Sequence, residues 1–253
     1  SSLEGEIRLF IGVMTIPDRH EIRGILRMAY GIQSPIGAHI DVRFIFCNLT
    51  NEEQRVLIAL EIMTYDDIII LNCTENIHDG KTYTYFSSLP ELFTSNSTYP
   101  PYHYVMKTDD DAYIRLQYLM DSLRPLPRDD MFYGYGFPFD RRDTPDFMGG
   151  VIYIVSWDIV EWISTSDIPK NNIYATEDVI FGHWLFLGQK GKNRYDAKWT
   201  IYDIPDPAPT WYSHSLWPET AVVHQLNTRG QWAKALGYFN VTKGLKPSKF
   251  YHI

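Results

Sequence analysis

The chain has 253 residues, 45% hydrophobic and 21% charged, a composition that excludes disordered, collagen-like and fibrous classes. Its 23 basic and 31 acidic residues give a formal charge of −8, without the electrostatic footprint of a nucleic-acid binder, so an anionic partner has to be held by a local site. No stretch reaches the roughly 18 to 20 apolar residues of a membrane span, and Ser1-Ser2-Leu3-Glu4-Gly5-Glu6 is not a signal peptide; the chain reads as part of a longer gene product.

Ile7 to Met14 is an apolar strand-like run, and Pro17-Asp18 then opens a helical stretch with Ile22, Ile25, Leu26 and Ala29 on one face. Ile40 to Cys47 predicts a second strand, followed by a helix that starts at Glu52-Glu53 and carries Val56, Leu57, Leu60 and Met63. Ile68 to Leu71 and a helix over Thr82 to Leu89 repeat the unit, so a mostly parallel, helix-covered sheet is expected. A fourth strand, Tyr102 to Met106, runs into Lys107-Thr108-Asp109-Asp110-Asp111, at the end of an α/β strand where ligands bind. Beyond it come a helix over Ile114 to Leu123, an aromatic strand from Met131 to Tyr135, a buried strand from Val151 to Val155, and helices over Trp157 to Ile163 and Val179 to Leu187. No repeat or linker divides the chain, so residues 1–253 are expected to form a single domain. The Pro-rich stretch Asp203 to Pro218 reads as a loop packed over something.

Cys47 and Cys73 are too few for a disulfide scaffold or a thiolate zinc site. Each ends an apolar run, so the two sulfurs meet if those runs are adjacent strands; two buried free thiols are the alternative. Four Asn-X-Ser/Thr sequons, at Asn48, Asn72, Asn96 and Asn240, exceed the chance expectation and favour a secretory compartment.

Three consecutive carboxylates at a strand end repel one another unless a cation compensates, and hard divalent ions take carboxylate oxygens together with substrate phosphates. Alternation puts Asp109 and Asp111 on one side, nearest a metal-diphosphate, with Asp110 opposite. In Thr176-Glu177-Asp178 one carboxylate is a candidate general base; helix capping alone is the competing explanation. His224, at the end of a short apolar run, is either a satisfied structural histidine or a metal ligand that favours Mn²⁺ over Mg²⁺. Arg19, Arg23 and Arg27 recur every four residues, and Arg19 or Arg23, like Lys81, could reach a phosphate. Gly80-Lys81-Thr82 is no P-loop, because position 75 is Glu. Tyr133, Tyr135, Phe137 and Phe147, with Trp211 or Trp217, are candidate sugar-stacking surfaces, with core packing as the alternative for each.

Arg19-(3)-Arg23 with Arg27-Met28-Ala29-Tyr30-Gly31, Lys107-Thr108-Asp109-Asp110-Asp111, Gly149-Gly150-(2)-Tyr153-Ile154-Val155-Ser156, Glu177-Asp178-Val179-(2)-Gly182 and Val223-His224-Gln225-Leu226 occur in one order. In that order they resemble family 31 glycosyltransferases, the β-1,3-galactosyltransferase and Fringe-like group, and their details resemble a plant or fungal branch. The resemblance runs from Ile7 to His252. It implies a GT-A fold, a single Rossmann-like α/β domain whose mostly parallel central sheet is flanked by helices. It also implies a type II Golgi membrane protein whose anchor and stem are not in this chain, a UDP-sugar donor, Mn²⁺, a glycan or glycoprotein acceptor and inversion at the anomeric carbon. By position, Asp111 and His224 would be metal ligands beside Asp109, and Asp109 and Asp110 would contact the nucleotide sugar with Arg19, Arg23 and Lys81. Asp178 would be the catalytic base, and Tyr135, Phe147, Gly149, Gly150 and Glu177 would line the acceptor site. Two departures stand out: Tyr30 replaces the usual Trp, and Ile152 replaces the second glycine of Gly-x-Gly-Tyr, where a branched side chain is expected to fill space near the sugar. Another Asp-rich, metal-dependent nucleotide enzyme, or a non-catalytic UDP- or glycan-binding descendant, are the rival readings.

Overall fold

The computed structural model describes residues 5–76, 78, 80–93, 99–141 and 144–252. The elements run β1 (Ile7–Met14), α1 (His20–Gly31), β2 (Ala38–Phe46), α2 (Glu52–Tyr65), β3 (Ile68–Ile70), α3 (Lys81–Leu92), β4 (Tyr104–Asp109), β5 (Tyr113–Ile114) and α4 (Leu116–Leu123). They continue with β6 (Met131–Phe137), β7 (Phe147–Ser156), α5 (Trp157–Thr165), α6 (Asp167–Lys170), α7 (Glu177–Gly188), β8 (Asn193–Asp196), β9 (Ile201–Asp203), β10 (Val222–His224) and α8 (Arg229–Tyr238).

A seven-stranded sheet has the order β3-β2-β1-β4-β7-β6-β8. Pairs β3–β2, β2–β1, β1–β4 and β6–β8 are parallel, and only β7 runs against its neighbours β4 and β6. This is the mostly parallel α/β arrangement expected of a GT-A fold. From Leu9 to Met14 strand β1 carries no polar side chain, because it lies mid-sheet and both its faces are covered. One buried cluster, around Leu9, Met106 and Leu119, and a second, around Phe10, Phe86 and Phe181, are built on alternating residues of the same strands.

Strand direction places the site. The carboxyl ends of β1, β4 and β6 lie at one edge of the sheet, and the amino end of antiparallel β7, Phe147 to Gly150, arrives at the same edge. Three short strands, ordered β5-β10-β9, form a second sheet beside that edge. The connection from β4 to β5 is only Asp110-Asp111-Ala112, so the acidic turn joins the two sheets.

Several expectations need correction. The fourth strand extends through Lys107 to Asp109, and the strand expected from Val151 starts at Phe147. Strands β8 and β9 and helix α8 were not anticipated, although the Thr228–Gln231 capping box of α8 is readable in the sequence. In α2, Val56, Leu57, Leu60 and Met63 face outward, Met63 at 84% exposure, and Ile58 is the buried residue. Cys47 and Cys73, following β2 and β3, are disulfide-bonded, which decides between the two readings of these cysteines. Asn48, Asn72 and Asn240 are exposed, and the Asn48 amide donates to Asn72 Oδ1 at 2.9 Å; Asn96 lies outside the described residues. Among the described residues no helix is long and apolar enough to cross a membrane.

Candidate active site

Asp110 turns toward β1 and α1, where it accepts from Thr15 Oγ1 at 2.6 Å and Arg19 Nε at 2.7 Å. Burial holds its pKa above the ordinary value despite both donors. Asp109, the last residue of β4, and Asp111, in the turn beyond it, reach instead toward His224. One oxygen of Asp109 lies 2.8 Å from Lys107 Nζ. Asp111 meets His224 because β5 and β10 are antiparallel, with Val223 opposite Tyr113, and because the Leu226 amide donates to the Asp111 carbonyl at 2.9 Å.

In the neighbouring parallel pair, His224 is registered with Asp203. The imidazole Nδ1 donates to Asp203 Oδ1 at 2.7 Å, leaving Nε2 3.1 Å from Asp111 Oδ1. Burial works against the imidazolium, but the two flanking carboxylates outweigh it and push the His224 pKa up to about 10. Burial works against the Asp111 carboxylate too, but the His224 imidazole, with Arg19 farther off, holds its pKa below the ordinary value.

Donor atoms of Asp109, Asp111 and His224 lie within 4.8 Å of one another. Asp111 Oδ1 is buried and lacks a hydrogen-bond partner, since its approach to His224 is not aligned as a hydrogen bond. Two carboxylates and an imidazole whose far nitrogen is held by a carboxylate suit a divalent transition metal such as Mn²⁺. The residues therefore fit the metal that the resemblance implies.

Lys107 sits beneath the cluster, nearly inaccessible. Its Nζ donates to the Gly150 carbonyl at 2.6 Å and lies 3.4 Å from Glu177 Oε2. Burial opposes its charge, but Asp109 and Glu177 win, and its pKa is raised. Glu177 is buried, hydrogen-bonded by Tyr153 Oη, and burial raises its pKa. Its oxygens are engaged by Tyr153 and Lys107, and it borders a cavity of about 200 Å³ together with Asp109, Gly150 and Asp178. Asp178, one residue on in the first turn of α7, is half-buried and accepts from the Gly150 amide at 3.0 Å. It faces a cavity of about 230 Å³ whose lining includes Tyr135, Phe137, Gly149, Gly150, Tyr212 and His224.

A second groove, of about 280 Å³, lies on the other side of Asp109 and is lined by Arg19, Lys81, Asp110, Asp111 and Asn227. Lys81 donates to the Thr15 carbonyl at 3.0 Å and pairs with Glu75; burial lowers its pKa. Asp109 borders both spaces, so the Asp109, Asp111 and His224 cluster stands between a basic-and-acidic groove and an aromatic cavity.

Arg23 is not brought to this place. It is fully buried, bonded to Glu61 and to the carbonyls of Ile16 and Pro17. Phe147 stacks behind Phe137 at 5.1 Å without lining the cavity. Ile152 is buried in the core, and Val151 borders the cavity in its place. In the Pro-rich loop, Trp211 is 87% exposed and Trp217 donates to the Trp199 carbonyl; Tyr212 is the ring that closes the cavity, 5.2 Å from Tyr135 and 5.3 Å from Phe137. Sequence reading also missed Asp203 and the contacts of Lys107. Lys107 sits inside the acidic motif, whereas nothing local marks Asp203.

The Galactosyltransferase family model matches residues 21–144. The chain is 25% identical to Beta-1,3-galactosyltransferase pvg3 of Schizosaccharomyces pombe, over 87% of this chain and 71% of that protein. It is 24% identical to the rat lactosylceramide 1,3-N-acetyl-beta-D-glucosaminyltransferase, over 70% of this chain and 53% of that protein. Among solved structures, the galactosyltransferase LgtC in complex with donor and acceptor sugar analogs overlaps 96% of this chain and 97% of that one, at 14% identity and a TM-score of 0.47.

Proposed function

We propose that this chain, a family 31-like glycosyltransferase similar to β-1,3-type hexosyltransferases, moves galactose or an N-acetylhexosamine from a UDP-sugar to a hydroxyl of a glycan or glycoprotein, with inversion and with Mn²⁺. The observation that carries this reading is the Asp109, Asp111 and His224 cluster between two cavities, with Asp178 facing the aromatic one.

In this reading Asp109, Asp111 and His224 hold the metal, which supplies Lewis-acid stabilisation of a diphosphate leaving group when bound. Arg19 and Lys81 line the groove that takes the nucleotide, and Arg19 also holds Asp110 in place. Asp178, oriented by the Gly150 amide, accepts the proton of the attacking hydroxyl. Attack from the face opposite the leaving diphosphate inverts the anomeric carbon. Tyr135, Phe137 and Tyr212 offer apolar faces to the sugar and exclude water. Residues 1–253 act as one catalytic domain in a Golgi-type lumen. The disulfide and three exposed sequons support an oxidising, glycosylating compartment.

The test is UDP release from a panel of UDP-sugars with glycan acceptors, in Mn²⁺ and then in EDTA. Metal-dependent release from one donor is expected, and Asp178→Asn should lower turnover by about 10²- to 10⁴-fold with UDP binding retained. Pyrophosphate or orthophosphate as the product would overturn the assignment, as would full turnover by the Asp178→Asn chain.

A further inference from the structure

We infer that Asp203 is a positioning residue that ties the candidate metal-binding histidine to the loop carrying Tyr212, so that occupancy of the metal site and closure of the sugar cavity are coupled. The inference rests on the metal-site reading above and goes beyond it.

Asp203 ends β9 and is buried, and each of its carboxylate oxygens has a separate task. Oδ1 accepts a hydrogen bond from His224 Nδ1–H at 2.7 Å, which orients the ring and aims Nε2 at Asp111. Oδ2 accepts from Thr210 Oγ1 at 2.8 Å. That same hydroxyl oxygen accepts from the Tyr212 amide at 3.3 Å, so the chain runs imidazole, carboxylate, hydroxyl, Tyr212 backbone. The main chain reinforces it: Asp203 N–H donates to the Tyr212 carbonyl and His214 N–H to the Asp203 carbonyl, both at 3.1 Å.

Tyr212 and His224 line the same cavity from opposite ends of this chain. Tyr212 itself belongs to no strand or helix, because residues 204–218 are loop. Its place against Tyr135 and Phe137 is set by edge-to-face ring contacts and by the bonds around Asp203. An imidazole engaged by a cation on Nε2 is fixed more firmly, and through Nδ1 it orders Asp203. The ordered carboxylate then holds Thr210 and the loop, and by linkage an ordered loop favours the cation.

The experiment compares the unsubstituted chain with Asp203→Asn and Thr210→Val, none exposed to sugar nucleotide. Mn²⁺ affinity is read by calorimetry, and hydrogen exchange of residues 206–214 is followed with and without Mn²⁺. Asn keeps the shape of Asp203 but loses its charge, and Mn²⁺ affinity should fall by about 10- to 100-fold. Thr210→Val removes the hydroxyl and keeps the main-chain bonds, so Mn²⁺ should bind within about threefold of the original affinity while its protection of residues 206–214 falls measurably. Unchanged Mn²⁺ affinity in Asp203→Asn, or full Mn²⁺-induced protection in Thr210→Val, would overturn the coupling alone. Absence of Mn²⁺ binding by the unsubstituted chain would overturn the metal-site reading and the coupling together.

Discussion

Lys107→Met is the most informative single change. The ammonium group is buried 2.8 Å from Asp109 and 3.4 Å from Glu177, and it bonds the Gly150 carbonyl. Met fills similar volume but leaves two carboxylates facing each other over a buried floor with no cation between them. Breaking a buried pair in this way costs about 3–5 kcal/mol, which for a chain of this length lowers Tm by roughly 6–20 °C. Because Glu177 already has a raised pKa from burial, losing Lys107 raises it further. A carboxyl whose folded pKa lies above its unfolded value stabilises below the unfolded value, near 4.5, and that contribution is lost as pH rises through the folded pKa. The variant should therefore be most defective at pH 8 and regain stability toward pH 5, and adding Glu177→Gln should restore part of the loss at pH 8. Urea denaturation at both pH values measures it. A variant within about 1 kcal/mol of the original at pH 8, or no rescue by Glu177→Gln, would refute the reasoning, since a truly buried unpaired charge cannot be that cheap.

Three other outcomes follow from the same structure. Because His224 is held protonated up to about pH 10 by Asp111 and Asp203, Mn²⁺ binding at pH 7.5 should release about one proton, read as a dependence of calorimetric heat on buffer ionisation enthalpy; no release would mean the imidazole is not a ligand. Replacing Cys47 and Cys73 together by Ala opens a loop with a sequence separation of 26 and should cost about 3.5 kcal/mol in chemical denaturation. In Gly182→Ala the added Cβ would sit 2.4 Å from Phe147 Cβ and 2.7 Å from the Asp146 carbonyl, so α7 must move off the start of β7. About 1–3 kcal/mol of destabilisation is expected, with a higher acceptor KM because Phe147 backs Phe137; unchanged stability would show the contact to be soft.

Arg19 and Arg23 show where sequence spacing stops being informative. Four residues apart, they belong on one helix face only if both are helical. Arg19 is instead the residue before α1, with φ −91° and ψ 38°, so it swings to Asp110 while Arg23 follows the helix face toward Glu61. In α2 the apolar spacing is helical, as read, yet it does not say which face meets the sheet; Ile58 takes that place. Trp211 and Tyr212 are neighbours in a loop without a period, and only packing against Tyr135 and Phe137 selects the tyrosine.

Amino-acid order is informative about what is local or repeats along the chain. It supplied the alternation of strands and helices, hence the mostly parallel sheet, and the acidic turn at the end of β4, because hydrophobic period and charge repulsion act between near neighbours. It also supplied Glu177-Asp178 at a helix start. Packing of the whole chain divided the roles of those two acids, because Lys107, 70 residues away, and Tyr153 bind Glu177 while Asp178 faces the aromatic cavity. It alone brought Asp203 to His224 and His224 to Asp111, through the registers of a small sheet whose strands are separated by long stretches of chain. Contacts of that kind are selected by the folding of the whole chain, since each gains its energy from burial and hydrogen bonding that no local segment contains.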